Sequence, residues 1–317
     1  MHVTEHLQQA TTNNYPRFSY EIVPPLRGTT NITQITRLIE QLMPFNPQWI
    51  NVTTHASSLL YVENSDGTIS RRVHKKRPGT LGICGVIQNK FGLDAVAHVL
   101  CQGFSQQETE DGLIELNYLG IDNILVLKGD NLNYNRKIND YESVNNHAGD
   151  LVRQVNRMRQ GIFLGDTEYP ALNFCVGVAG YPEKHFEAAN MALNIEYLKQ
   201  KVMAGAEYII TQMFFDNQKY FNFVTQCRQA GITVPIIPGI KIIKSVNQIN
   251  SLPRLFHIDL PHELVVELLA NPTNAPQIGI NWAKRQVREL IDAGAPCVHF
   301  FLMNDVENVL EVIREFR

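Results

Sequence analysis

Phe18-Ser-Tyr-Glu-Ile-Val-Pro-Pro25 is a run of aromatic and β-branched residues stopped by two prolines. That is the pattern of a buried strand with an abrupt exit. Glu21 sits among the apolar residues near the end of the run. A carboxylate held there loses hydration, which predicts a raised pKa and a proton kept near neutral pH, as a general acid requires. The plainer alternative is a strand-end glutamate that reaches solvent or pairs with Arg17 or Arg27, because ion pairs also perturb carboxylates. The rest of the chain repeats the strand-then-helix pattern.

Working outward, Thr30 to Met43 carries apolar residues at helical spacing, and Gln48 to Thr54 reads as a second strand. Leu59 to Gly79 is charged and weakly periodic and reads as a long loop. Leu81 to Phe91 is helical, Asp94 to Cys101 a third strand, and Ser105-Gln-Gln-Glu108 a capping box opening the next helix. Asn123 to Lys128 is a fourth strand, followed by a polar loop of about fifteen residues, long enough to suggest function. Helices over 147–160, 188–204 and 217–230 alternate with strands over 173–179, 207–212 and 234–238. Helical sequence over 246–270 and 275–293, an eighth strand over 297–303 and a helix over 306–316 complete the chain. Eight near-continuous apolar strands, each followed by helical sequence, predict one α/β domain over residues 1–317, a single (β/α)8 TIM barrel. Residues 1–15 read as a polar N-terminal extension.

The 317 residues are 44% hydrophobic with a net charge of −3. That supports a large core and gives no electrostatic footprint for nucleic acid or anionic membrane. The densest basic run, Arg71-Arg72-Val73-His74-Lys75-Lys76-Arg77, reads as a solvated surface or a contact for a phosphate-bearing ligand. No apolar run reaches membrane-spanning length, and the amino terminus lacks signal-peptide order. Five scattered cysteines form neither a zinc pattern nor a disulfide scaffold, which suits a reducing cytoplasm. The ten histidines show no metal-ligand spacing.

A barrel of this type places its site at the carboxyl ends of the strands. Those ends carry Glu21, Thr53, Thr54, His98, Asp130, Tyr181 with Glu183 and His185, and Gln212. Each has a structural alternative: His98 as a core histidine, Asp130 as a turn aspartate, Glu183 as a helix cap. Gln212, between Tyr208-Ile-Ile210 and Met213-Phe-Phe215, would bury an amide that needs partners, and a flat polar ligand would supply them. Gly180 and Gly239 permit close backbone approach. Acid, amide and aromatic residues without metal spacing suggest an organic cofactor.

These motifs together resemble the catalytic barrel of the methylenetetrahydrofolate reductase family. The resemblance rests on Phe18-Ser-Tyr-Glu-Ile-Val-Pro-Pro25, Asn51-Val-Thr53, Leu127-Lys-Gly-Asp130, Val178-Ala-Gly-Tyr-Pro-Glu-Lys-His185, Thr211-Gln-Met-Phe-Phe-Asp216 and Pro235-Ile-Ile-Pro-Gly-Ile240. It implies reduction of methylenetetrahydrofolate to methyltetrahydrofolate by ping-pong hydride transfer, with FAD as cofactor and NADH or NADPH as donor. It implies Glu21 and Asp130 as catalytic residues that also touch the folate, and Gln212 and Gln248 as folate-binding. It implies Thr53, His98, Lys128, Gly129, Asp130, Ala148, Tyr181, His185, Asn194 and Lys201 as flavin contacts. A cytoplasmic homo-oligomer with small-molecule partners follows from the same likeness, without the S-adenosylmethionine-binding domain of longer relatives. The chain departs from the usual pattern at Lys128 (for arginine), His147, Asn194, Lys241-Ile242 and Asp305. A diverged flavin- or folate-binding subunit and a non-redox pterin-binding barrel are the competing readings.

Overall fold

In the computed structural model, described over residues 1–10, 17–26, 28, 31–55, 58–129, 143–303 and 306–316, eight parallel strands close into a barrel. Helix α1 (Val3–Ala10) precedes β1 (Phe18–Ile22), α2 (Ile32–Leu42) and β2 (Trp49–Val52). A hairpin of β3 (Ser58–Glu63) and β4 (Ile69–His74) intervenes before α3 (Thr80–Phe91), β5 (Asp94–Leu100), α4 (Gln106–Tyr118) and β6 (Asn123–Leu127). Next come α5 (Ala148–Met158), β7 (Cys175–Gly180), α6 (Met191–Met203), β8 (Tyr208–Met213), α7 (Asn217–Gln229) and β9 (Ile236–Ile240). Helices α8 (Gln248–Phe256), α9 (His262–Ala270) and α10 (Ala275–Asp292) lead to β10 (Val298–Phe301) and α11 (Val306–Ile313). Around the barrel the order is β1-β10-β9-β8-β7-β6-β5-β2, with β1 closing on β2. The expected barrel is therefore observed.

Strand alternation divides the molecule into two layers. Phe18, Tyr20 and Ile22 of β1 face outward into a core shared with Ile35 and Ile39 of α2 and Val309 and Ile313 of α11. Their alternates, Ser19 and Glu21, face the interior. The amino half of that interior is filled by Trp49, Val96, Leu125, Cys175, Tyr208, Ile210, Ile237 and Cys297. Gly177 is required there, because a Cβ would fall 2.2 Å from the Tyr208 ring. The Tyr208 hydroxyl donates to the Ile124 carbonyl at 3.1 Å.

Three expectations change. The polar N-terminal extension is, over Val3–Ala10, a helix docked on the amino end of the barrel, with Val3 and Leu7 buried in the interior cluster. The Val3 amide donates to Asn123 Oδ1 at 2.9 Å, and His6 Nε2 lies 2.6 Å from Asp94 Oδ2 at the start of β5. The loop read over 59–79 contains the antiparallel pair β3–β4. Its turn is made by Asp66-Gly67, where Gly67 has φ +80 and the Thr68 amide donates to Asp66 Oδ1 at 2.9 Å. Asp-Gly between short apolar-polar runs is a hairpin signal that the surrounding charges obscured. The helical stretch over 246–270 breaks into α8 and α9 at His257, whose φ is +54. The capping box is present as read: the Glu108 amide donates to Ser105 Oγ at 3.1 Å, and the Ser105 amide to Glu108 Oε2 at 2.9 Å. Among the described residues no helix is long and apolar enough to cross a membrane.

Because Leu7 fills the barrel floor at 5% exposure, Leu7→Ala is expected to cost about 2–4 kcal/mol of unfolding free energy. Urea titration checks this; a loss below about 0.5 kcal/mol would show that α1 is a surface appendage.

Candidate functional site

Above the apolar floor the inward-facing positions become polar. Register pairs Ser19 with His299 and Glu21 with Phe301 across β1 and β10, and Glu21 with Asn51 across β1 and β2. His98 Nε2 lies 3.5 Å and His299 Nε2 3.8 Å from Glu21 Oε2. Asn51 Nδ2 is 3.2 Å from His98 Nε2, and Ser19 Oγ is 2.9 Å from His299 Nδ1. Ser19, Asn51 and His299 are each 0% exposed. In the tautomer where Ser19 donates to Nδ1, His299 carries its proton on Nε2, facing Glu21. Thr54 Oγ1 donates to the His98 carbonyl at 2.5 Å and also meets Thr80 Oγ1, tying β2, β5 and the start of α3 together.

The electrostatics reverse the expectation for Glu21. Burial pushes its carboxyl up, but the facing His299, with His98 and His55, outweighs burial and holds it below the usual carboxylate value. Glu21 is therefore ionised near neutral pH rather than protonated. Burial pushes His98 down to about 4, so that ring is neutral there. Among the described residues, the carboxyl with a raised value is Glu183, which burial pushes up to about 7. It does not cap a helix: its Oε2 accepts the Asp259 amide at 2.6 Å, joining the loop after β7 to the α8–α9 junction.

The loop after β7 assembles a second group. Tyr181 and His185 meet edge to face, with ring centroids 4.6 Å apart. Asn194, 6% exposed, accepts the His185 amide at 3.1 Å and donates to the Tyr181 carbonyl at 3.1 Å. Its side chain thus shapes the loop. Lys201 donates to the Ala179 carbonyl at 2.7 Å, and burial pushes its ammonium down to about 8. Lys128 is bound through both oxygens of Glu187, at 2.7 and 2.6 Å. Gly129 has φ +100, and a Cβ there would sit 3.4 Å from the Gln102 side chain, whose buried Oε1 has no partner. Ala148 is the first residue of α5 and packs against the outer core. Asp130 lies outside the described residues, as do Arg27 and Asp305.

Gln212 faces the interior near the end of β8, with its Oε1 accepting the Met213 amide at 2.8 Å. Gln248 opens α8, with its Oε1 accepting the Lys244 amide at 2.7 Å. Both turn their oxygens to local backbone, leaving amide N–H groups as donors. Thr53 Oγ1 is buried without a partner. Glu21 and His98 are thus in one cluster, and Tyr181 and His185 lie on the β7–α6 loop, held by Asn194 of α6, while Lys201 of the same helix reaches the end of β7. Sequence reading missed Ser19, Asn51 and His299. The available signal was alternation: Cys297, His299 and Phe301 share the inward face of the eighth barrel strand, as Ser19 and Glu21 share that of the first.

Comparison with known proteins agrees with this architecture. The family model for methylenetetrahydrofolate reductase matches residues 6–317. The chain is 29% identical to methylenetetrahydrofolate reductase 1 of Schizosaccharomyces pombe, over 99% of this chain and 48% of that one. It is 30% identical to methylenetetrahydrofolate reductase 2 of Saccharomyces cerevisiae, over 96% and 48%. The chain spans about half the length of these relatives. With 5,10-methylenetetrahydrofolate reductase of Salmonella typhimurium it shares 28% identity, over 91% of this chain and 86% of the relative. Among solved structures, an uncharacterized protein from Clostridium thermocellum that binds two copies of 5-methyl-5,6,7,8-tetrahydrofolic acid superposes with a TM-score of 0.58 at 12% identity. It covers 98% of this chain and 97% of its own, a likeness of fold. With its barrel and motifs matched along nearly the whole length, the chain belongs to the methylenetetrahydrofolate reductase family.

Proposed function

We propose that the protein reduces methylenetetrahydrofolate to methyltetrahydrofolate with FAD as cofactor and NADH or NADPH as donor, the barrel carrying the whole site. The observation that carries this reading is the Glu21 carboxylate in the barrel mouth, 3.8 Å from a His299 ring that is itself held by Ser19 at 2.9 Å. Opening the folate's five-membered ring requires a proton at N10, and Glu21 is the acid positioned to deliver one. Ser19 holds the His299 ring facing Glu21. The amide donors of Gln212 and Gln248 suit the carbonyl and ring nitrogens of a pterin. Asp130 is assigned, on family likeness, the carboxylate that steadies the cationic iminium.

The residues present fit a flavin. Thr53 Oγ1, Asn51 Oδ1 and Gln102 Oε1 are buried without partners, and such atoms call for a polar guest. Gly129 leaves open the space beside Gln102 that a side chain would crowd. Thr53, His98, Gly129, Ala148, Tyr181, His185 and Lys201 would hold the cofactor, with Asn194 fixing the Tyr181–His185 loop. Lys128 would meet its phosphates only in exchange for Glu187. When bound, FAD supplies the store for a hydride between the nicotinamide and the folate.

Anaerobic addition of methyltetrahydrofolate to the FAD-loaded protein is expected to bleach the visible flavin spectrum. A flavin spectrum that never bleaches would support the binding-subunit reading instead. Glu21→Gln is expected to keep the flavin spectrum and its reduction by nicotinamide, while slowing hydride exchange with folate about 10²–10⁴-fold. Unchanged exchange would remove Glu21 from the acid role. The sign of the pH effect follows from the lowered Glu21 value. The acid form is the minor one at neutral pH, so folate reduction at low substrate should rise as pH falls below 7, approaching tenfold per unit. A flat stopped-flow profile between pH 5 and 8 would contradict it.

A further inference from the structure

The loop over residues 181–190, between β7 and α6, carries Tyr181 and His185 and is not relaxed backbone. Lys184 lies at φ +80, in the left-handed region that residues with a Cβ rarely adopt. Such a conformation persists only where surrounding contacts over-determine it. From within, the Lys184 amide donates to the Tyr181 carbonyl at 3.1 Å, and its ammonium to the Ala188 carbonyl at 2.7 Å. From outside, the α8–α9 junction grips the loop at two points. Glu183 Oε2 accepts the Asp259 amide at 2.6 Å, and the Phe186 ring stacks on His257 with centroids 5.0 Å apart. His185 lies between the grips, its ring 4.6 Å from that of Tyr181 and 4.7 Å from that of Phe186. Glu183 Oε1 is buried with no partner among the described residues. Charge on a buried oxygen without a donor is costly, so this contact suits the neutral acid. The charged groups facing Glu183 agree with that form. Asp259 of the junction and Asp216 at the start of α7 are both acidic, and the cation Lys219 of α7 lies 3.4 Å from Asp259.

We propose that Glu183 is a positioning residue for the cofactor: as a neutral acid it latches residues 181–190 to the α8–α9 junction, and Tyr181 and His185 meet the flavin only while the loop is latched. The inference rests on the flavin reading above. Helix α8 opens on Gln248 and ends at this junction, so the latch also sets the cofactor loop against the helix assigned to the folate. Burial raises the Glu183 carboxyl from 4.5 to about 7 in the latched loop. The latch is therefore fully made below about 4.5 and is lost as pH rises through about 7. Once released, the ionised carboxylate is hydrated and Lys184 can leave its left-handed conformation. Flavin affinity falls with it.

The experiment is dilution of the full-length, FAD-loaded protein at pH 6 and pH 8, with the dissociation constant read from the recovered flavin fluorescence. Glu183→Gln keeps a neutral acceptor for the Asp259 amide, whereas Glu183→Ala removes it. From pH 6 to pH 8 the unaltered protein is expected to lose about threefold or more affinity beyond any loss in Glu183→Gln. Glu183→Ala should bind FAD about threefold or more weakly than the unaltered protein at pH 6, with Glu183→Gln restoring the affinity. The other titratable flavin contacts, His98, Lys128, His185 and Lys201, are common to all three proteins, so the difference between profiles isolates Glu183. Matching profiles in the unaltered protein and Glu183→Gln overturn the inference, as does Glu183→Ala binding FAD as tightly as the unaltered protein at pH 6. If none of the three binds FAD at either pH, the flavin reading fails with it; if FAD binds with matching profiles, the latch alone fails.

Discussion

A carboxylate inside a barrel must be supplied with donors or surrender its charge, and this constraint shapes the mouth of the molecule. Isolated in a low-dielectric interior, Glu21 would be protonated. Histidines on β5 and β10 face it, with Ser19 and Asn51 fixing the two rings. Four strands therefore contribute to one ionised group, and the barrel must close for them to meet. The closure between β1 and β10 that aligns Ser19 with His299 is the same pairing that completes the sheet. Fold and site are held by one register.

The opposite end of the interior obeys the reverse rule. Apart from the Trp49 indole N–H, which is buried without a partner, its side chains are apolar or, like Tyr208, have their polar tip bonded to backbone, and α1 covers them with Val3 and Leu7. A dry floor beneath a polar rim keeps the dielectric low around Glu21, His98 and His299. Burial is accordingly the largest influence on the proton affinities of Glu21 and His98, and the charges facing them come second.

The barrel was legible because its strands are near-continuous apolar runs, and buried parallel strands need that composition whatever their partners. Glu21, His98 and Gln212 were legible because polar residues interrupt those runs. The sign of the Glu21 shift was not, since it depends on His299, 278 positions away in sequence and brought close only by closure of the sheet. The β3–β4 hairpin was hidden by its own charges: Arg71 and Arg72 broke the periodicity that Leu60, Val62 and Ile69 would have shown. The amino-terminal helix was too short to announce itself, having two apolar residues, Val3 and Leu7, on its buried face.

The helix across the amino end gives the barrel a blind floor. On the proposed reaction, a proton spent by Glu21 cannot be replaced from beneath, because water meets Trp49, Leu125 and the α1 side chains in that direction. It must return from the mouth, past the rings bound there. Recharging the acid and discharging the product then share a single passage, and the enzyme regains its proton only as its guest departs.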